Sequence, residues 1–180
     1  MDKKVKVNNI YIHHSATDRD VQPEQFEMIN LYHKQKWDFE SSLGYYGGYN
    51  YLIEPNGDLK QYRADGEEQA AQYGHNFDTL SVCLAGNFEI QFPTLKQQIR
   101  LRSFLTDKLD EYGLEPEDVM LHREVKATAC PGKNVTRTYI LKLIQDQYFD
   151  GLKVAILKKL IKLYKKLTVL LWKKSKDGLK

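Results

Sequence analysis

Asn56-Gly57 stands between two strand-like runs, Tyr49-Asn50-Tyr51-Leu52-Ile53 and Leu59-Lys60-Gln61-Tyr62-Arg63. Asn-Gly flanked by such runs is a strong short-range signal of a tight hairpin. A hairpin is antiparallel, so a sheet that contains it cannot be wholly parallel. The rest of the chain has to be fitted around that constraint, with Tyr49 expected to open the first strand of the pair.

Residues 7–15 mix β-branched and aromatic side chains and run into His13-His14-Ser15, which predicts a strand ending at a loop with His13 near its end. Pro23 opens a stretch in which Phe26, Ile29, His33 and Trp37 recur at helical steps, and the Gly- and Tyr-rich residues 44–48 end it. Leu80 to Leu84 is a short apolar run closed by Gly86-Asn87, as in a buried strand. Thr94 can cap a helix whose Leu101, Leu105, Leu109 and Tyr112 share a face and which stops at Gly113. A last core helix is expected over about residues 134–149, with Ile140, Leu143, Ile144 and Tyr148 inward. Strands and helices interleave, and the hairpin makes the sheet mixed: the predicted class is α/β, a mixed central sheet flanked by helices.

Charge divides the chain in two. Residues 151–180 hold ten Lys and one Asp, a net +9, while residues 1–150 hold the other 17 basic and 23 acidic residues, a net −6. The expected organisation is a core domain over residues 1–150 and a cationic C-terminal helix over residues 151–180. In that helix Lys158, Lys159, Lys162, Lys165, Lys166 and Lys173 gather on one side, and Ile156, Leu157, Leu160, Leu163, Leu167, Leu170 and Leu171 on the other. No apolar region follows the lysines of the N-terminus, so no secretory signal is expected, and no run is long enough for a conventional spanning helix. Cys83 and Cys130 are too few for a disulfide scaffold; Cys83, inside an apolar run, reads as a small hydrophobe.

Leu121-His122-Arg123-Glu124-Val125-Lys126-Ala127-Thr128-Ala129-Cys130-Pro131-Gly132 places a His and a Cys eight residues apart in a loop closed by Pro and Gly. That pair alone fits a structural histidine better than a ligand. With His13 the set becomes the three N and S ligands of a catalytic zinc, with one position open. Two imidazoles, a thiolate and Zn2+ give a centre of about +1, able to polarise a carbonyl and to lower the pKa of water to about 7. The paired short spacings of a structural zinc site are absent.

Three ordered blocks then resemble the N-acetylmuramoyl-L-alanine amidases, a family that includes phage lysis amidases and the related peptidoglycan recognition proteins. They are Ile10-Tyr11-Ile12-His13-His14-Ser15-Ala16, Gly48-Tyr49-Asn50-Tyr51-Leu52-Ile53, and His122-Arg123-Glu124-Val125 through Ala129-Cys130-Pro131-Gly132; residues 80–88, ending in Gly86-Asn87-Phe88, support them. The resemblance covers roughly residues 7–145. It implies that His13, His122 and Cys130 bind Zn2+ and that the Tyr49 hydroxyl lies beside the metal. Thr128 falls where many phage amidases carry Lys and the recognition-protein branch carries Thr. A hydroxyl supplies a hydrogen bond where an ammonium would supply a charge, so stabilisation of the intermediate would depend more on the zinc. His14 is expected to point to the opposite face of the strand as a supporting residue. His33 and His75 fit no ligand position, and Trp37, Tyr45 and Tyr46 are candidates either to line a sugar-binding cleft or to pack on the domain.

The implied function is a peptidoglycan hydrolase that cuts the amide between N-acetylmuramic acid and L-alanine: a monomeric phage or prophage endolysin, held in the host cytoplasm until lysis and then acting on the cell wall. The C-terminal helix is expected to engage an anionic membrane or outer-membrane lipid, with docking on the core domain and self-association as alternatives. Nucleic acid is disfavoured as a partner, because half the helix is apolar and Arg is absent from it. The rivals are a non-catalytic peptidoglycan-binding protein on the same fold and a membrane-disrupting effector. A glycosidase would need two carboxylates, which leave no identifiable spacing here.

Overall fold

The structure is a computed structural model that describes residues 5–145, 159–162 and 164. The chain divides into two compact units, Met1–Ile144 and Gln145–Lys180. In the first, β1 (Asn9–His14), β2 (Tyr51–Ile53), β3 (Leu59–Gln61), β4 (Thr79–Leu84) and β5 (Val119–Leu121) form one sheet in the order β3-β2-β4-β1-β5. The hairpin partners β2 and β3 are antiparallel, whereas β2–β4, β4–β1 and β1–β5 are parallel. The sheet is therefore mixed, as the Asn-Gly turn requires, with Gly57 at φ 88 in the turn. Tyr49 does not open β2: that strand starts at Tyr51, and Tyr49 lies in the bend before it.

All six residues of β4 are buried, as befits a central strand covered on both faces. On one face Ile10, Ile12, Leu80, Val82, Leu84 and Ile53 pack with Leu101, Phe104, Leu105 and Leu109 of α2 (Leu95–Tyr112) and with Ile140 and Ile144 of the helical residues 137–145. Each such side chain, fully buried, contributes roughly 1.5–3 kcal/mol. On the other face Leu52 and Cys83 pack with Ile29 of α1 (Phe26–Trp37) and with Tyr62. His13 is in register with Cys83, and Cys83 with Leu52, so these three share that second face, and His14 falls on the first.

Helix α2 starts as its sequence predicts. The Gln97 N–H donates to Thr94 Oγ1 at 3.1 Å and the Thr94 N–H donates to Gln97 Oε1 at 3.0 Å, a reciprocal capping box. The Gln97 amide also donates to Ile53 O at 3.1 Å and Ala85 O at 2.8 Å, which ties the helix start to the strand ends. Helix α1 has no side-chain cap of its own; the buried Glu54 carboxylate accepts from the Phe26 N–H at 2.7 Å and from the Gln25 N–H at 3.0 Å. Of the expected last core helix, residues 137–145 are helical with Leu143 packed on the core, and Tyr148 lies outside the described residues. Of the expected C-terminal helix, residues 159–162 and 164 are helical and exposed, and the rest lies outside the described residues.

Candidate metal centre

His13 is the penultimate residue of β1, on the α1 face of the sheet, and His122 follows directly on β5, the strand paired with β1. Parallel strands β1 and β5 thus deliver the two imidazoles to one edge, with ring centroids 4.5 Å apart. Cys130 is brought to them by the loop after His122. There the Arg123 N–H donates to Cys130 O at 3.0 Å, and the Arg123 guanidinium donates to Gly132 O at 2.7 Å and to Val135 O. Gly132, at φ 94, lets the loop lie against the chain: a Cβ there would sit 2.3 Å from the Phe88 carbonyl carbon. The result is that one ligand-type atom from each of His13, His122 and Cys130 lies within 4.8 Å of the others.

The protonation states suit a metal. His13 is fully buried, and burial first, then the neighbouring His122, holds it well below the ordinary histidine range, so it is a neutral imidazole. Its Nε2 meets Gln72 Oε1 at 3.0 Å. The Gln72 amide nitrogen is committed to donating, to His75 O at 2.8 Å and Thr79 Oγ1 at 3.3 Å, so its oxygen faces His13 and His13 must carry the hydrogen on Nε2. The lone pair is then on Nδ1, 3.6 Å from Cys130 Sγ. His122 is also lowered, by burial and by Lys126, and its Nε2 is buried without a hydrogen-bond partner among the described residues. Burial pushes the Cys130 thiol up to about 12, against the pull of the His14 N–H, which donates to Sγ at 3.4 Å, and of Arg123. An orphaned imidazole nitrogen, a second lone pair facing a sulfur, and a thiol that only a cation would ionise at neutral pH together fit a divalent metal of borderline softness such as zinc.

Tyr49 lies beside the trio, its ring 5.1 Å from that of His13. Burial first, then the sulfurs of Cys83 and Cys130, raise its phenol well above the usual range, so the hydroxyl stays protonated; its partner is the buried Cys83 thiol. Thr128 is exposed, and its Oγ1 accepts from the Cys130 N–H at 3.3 Å. His14 is buried on the other face, where its Nδ1 accepts from the Phe88 N–H at 3.2 Å. His33 is buried under Trp37 and accepts from the Gly48 N–H at 2.9 Å, whereas His75 is exposed and meets the Tyr11 hydroxyl at 3.3 Å.

Two clefts meet at Tyr49. One, of about 450 Å³, is lined by His122, Tyr49, Trp37, Tyr73, Lys36 and Lys126 among others; the second, of about 430 Å³, is lined by Tyr49, Trp37, Tyr32, His33, Ser15 and Lys36 among others. Trp37 thus faces both, but Tyr45 and Tyr46 line neither. Tyr45 packs edge-on against Phe26, and Tyr46 lies under the Lys34 ammonium. Gln72 is the residue that sequence patterning missed: nothing local marks it, because its role is set by a strand 59 residues earlier.

Comparison with known proteins gives the same picture. A family described as N-acetylmuramoyl-L-alanine amidase matches residues 3–133. Peptidoglycan-recognition protein SD of Drosophila simulans is 31% identical over 87 residues, 48% of this chain and 47% of that one, so the match spans about half the length of this relative. The solved N-acetylmuramoyl-L-alanine amidase LysC from Clostridium intestinale superposes with a TM-score of 0.64 at 24% identity, over 75% of this chain and 83% of that one. The Ph2119 endolysin from a Thermus scotoductus bacteriophage gives 0.63 at 18% identity, over 79% and 87%. At these identities the two structures speak to the fold.

Proposed function

The chain belongs to the N-acetylmuramoyl-L-alanine amidase family, and from that premise we propose that it hydrolyses the amide bond between the lactyl group of N-acetylmuramic acid and the first L-alanine of the peptidoglycan stem peptide. The observation that carries this reading is the convergence of His13, His122 and Cys130, with His122 lining a cleft and its Nε2 unpartnered among the described residues. Three N and S ligands leave one coordination position for chemistry, whereas a structural zinc would take four.

Zinc held by His13, His122 and Cys130 would supply a Lewis acid able to polarise a carbonyl and to acidify water. His13 presents Nδ1 because Gln72 holds the hydrogen on Nε2. The His14 N–H and the Arg123 charge favour the thiolate of Cys130. Tyr49 keeps its proton and donates to the oxygen that gains charge in the transition state, a role for which the Cys83 thiol is a weak competitor. Thr128 steadies the turn that presents Cys130 and offers its hydroxyl to the same oxygen.

Mass spectrometry of digested peptidoglycan tests the reading: new amino termini on L-alanine are expected, new reducing sugar ends would mean a glycosidase, and binding without cleavage would mean a recognition protein. The name of the Drosophila relative favours that last alternative. The retained Cys130 beside both imidazoles favours hydrolysis. The biological setting we propose is lysis by a phage or prophage, with the enzyme held in the host until lysis and working as a monomer. The +9 charge and apolar stripe of residues 151–180 support an accessory role for that segment at anionic lipid.

A further inference from the structure

We infer that the cleft before the metal centre selects stem peptides bearing free carboxylates, through the ammonium groups of Lys36 and Lys126; this rests on the hydrolase reading above. Both lysines line the cleft that exposes His122 and Tyr49, and Lys36 also lines the adjoining one. No Asp or Glu is among the described residues that line either cleft. A ligand seated against the metal centre therefore meets two positive side chains and no negative one.

The two ammonium groups lie over aromatic rings. Lys36 Nζ lies 4.7 Å from the Trp37 ring and 5.5 Å from that of Tyr32, and Lys126 Nζ lies 5.4 Å from the Tyr73 ring. Neither forms an ion pair with a described carboxylate. An aromatic face steadies a lysine and leaves its charge available, where a carboxylate partner would cancel it. The surroundings sharpen the contrast, because residues 1–150 carry a net −6 and the cleft reverses that sign locally. An anionic ligand is drawn to such a patch and repelled from the rest of the domain, whereas a peptide whose carboxylates are carboxamides feels neither force.

The test uses the full-length protein and a matched pair of soluble muramoyl peptides, one with free carboxylates beyond L-alanine and one with those groups as carboxamides. Binding is measured by calorimetry, and hydrolysis is followed separately by chromatography. The wild type should bind the carboxylate peptide roughly 3- to 10-fold more tightly at low ionic strength, the size expected of two partly exposed charge pairs. That preference should shrink at about 0.5 M salt, where the screening length is only a few ångströms. The K36Q/K126Q double variant should bring the ratio to about 1, and the K36R/K126R variant should keep it.

Equal binding of the two peptides by the wild type, binding of neither, a salt-independent ratio, or a ratio unchanged in a folded double glutamine variant would each overturn the selection. If that variant does not fold, the wild-type salt dependence still decides. Equal hydrolysis of both peptides with equal binding would defeat the selection and leave the hydrolase standing. A binding preference without cleavage would defeat the hydrolase and leave the selection standing.

Discussion

Replacing Gln72 by Leu removes the group that fixes the His13 ring while keeping close to the same volume. Gln72 is 1% exposed, and its Oε1 lies 3.0 Å from His13 Nε2. In the variant His13 keeps a buried N–H with no acceptor, which costs about 1–3 kcal/mol. It can recover part of that by turning the ring or moving the hydrogen to Nδ1, and either response spoils the lone pair that faces Cys130. The loss therefore falls on metal binding: zinc affinity should drop about 10- to 100-fold, or roughly 1.4–2.7 kcal/mol. Competition against a chromogenic chelator measures it, and the circular dichroism of the metal-free variant checks that the fold is kept. Affinity within about twofold of wild type in a folded Gln72→Leu protein would refute the argument, because the ring would then be held by packing alone.

Tyr49→Phe should fold and bind zinc but lose about 100-fold or more in turnover, the usual cost of one transition-state donor; an unchanged rate on purified peptidoglycan would reduce Tyr49 to packing. Gly132→Ala should weaken zinc binding and lower the melting temperature, since its Cβ would press on the Phe88 backbone at 2.3 Å and push the Cys130 loop outward; a crystal structure with Cys130 undisplaced would contradict this. His33 is held down to about 4 by burial first and then by Lys36 and Arg63, so the unfolded chain binds the extra proton between about pH 6.5 and 4. Its contribution is therefore present above pH 6.5 and lost as the pH falls toward 4. After allowance for screening at an open cleft it is on the order of 2 kcal/mol, and His33→Gln should flatten the acid limb of metal-free denaturation by that amount. Truncation after Asp150 should leave hydrolysis of purified peptidoglycan nearly intact while reducing binding to anionic vesicles; loss of hydrolysis would make residues 151–180 part of the working domain.

What could be read in the sequence was local or periodic. Asn56-Gly57 encodes its turn in two residues, Thr94 caps the helix that follows it, and the alternation along Asn9–His14 assigns His13 and His14 to opposite faces. The metal-type trio was legible through ordered blocks, because each ligand sits at the end of a strand or in a Pro-Gly loop with its own signature. Partners drawn from distant elements had no such signal. Glu54 caps a helix 28 residues away, Gln72 orients a histidine 59 residues away, and the buried Arg63 guanidinium is spent on the carbonyls of Phe39, Gly47 and Glu68. The strand formers around Tyr49 predict a strand there, whereas the structure puts Tyr49 in the bend ahead of Tyr51, with its ring 5.1 Å from that of His13.

His13 and Cys130 are 117 residues apart in sequence. An ion held between them would act as a clasp, closing most of the first unit into a ring much as a disulfide would. Cross-linking a loop of this size restricts the unfolded chain by an amount worth about 5 kcal/mol in the ideal case, a large part of an ordinary domain's stability. Chelation would then be felt first as a change in the lifetime of the protein. Starved of zinc, the 122–135 segment would lose its tether to β1, and limited proteolysis there would report metal content without any substrate present.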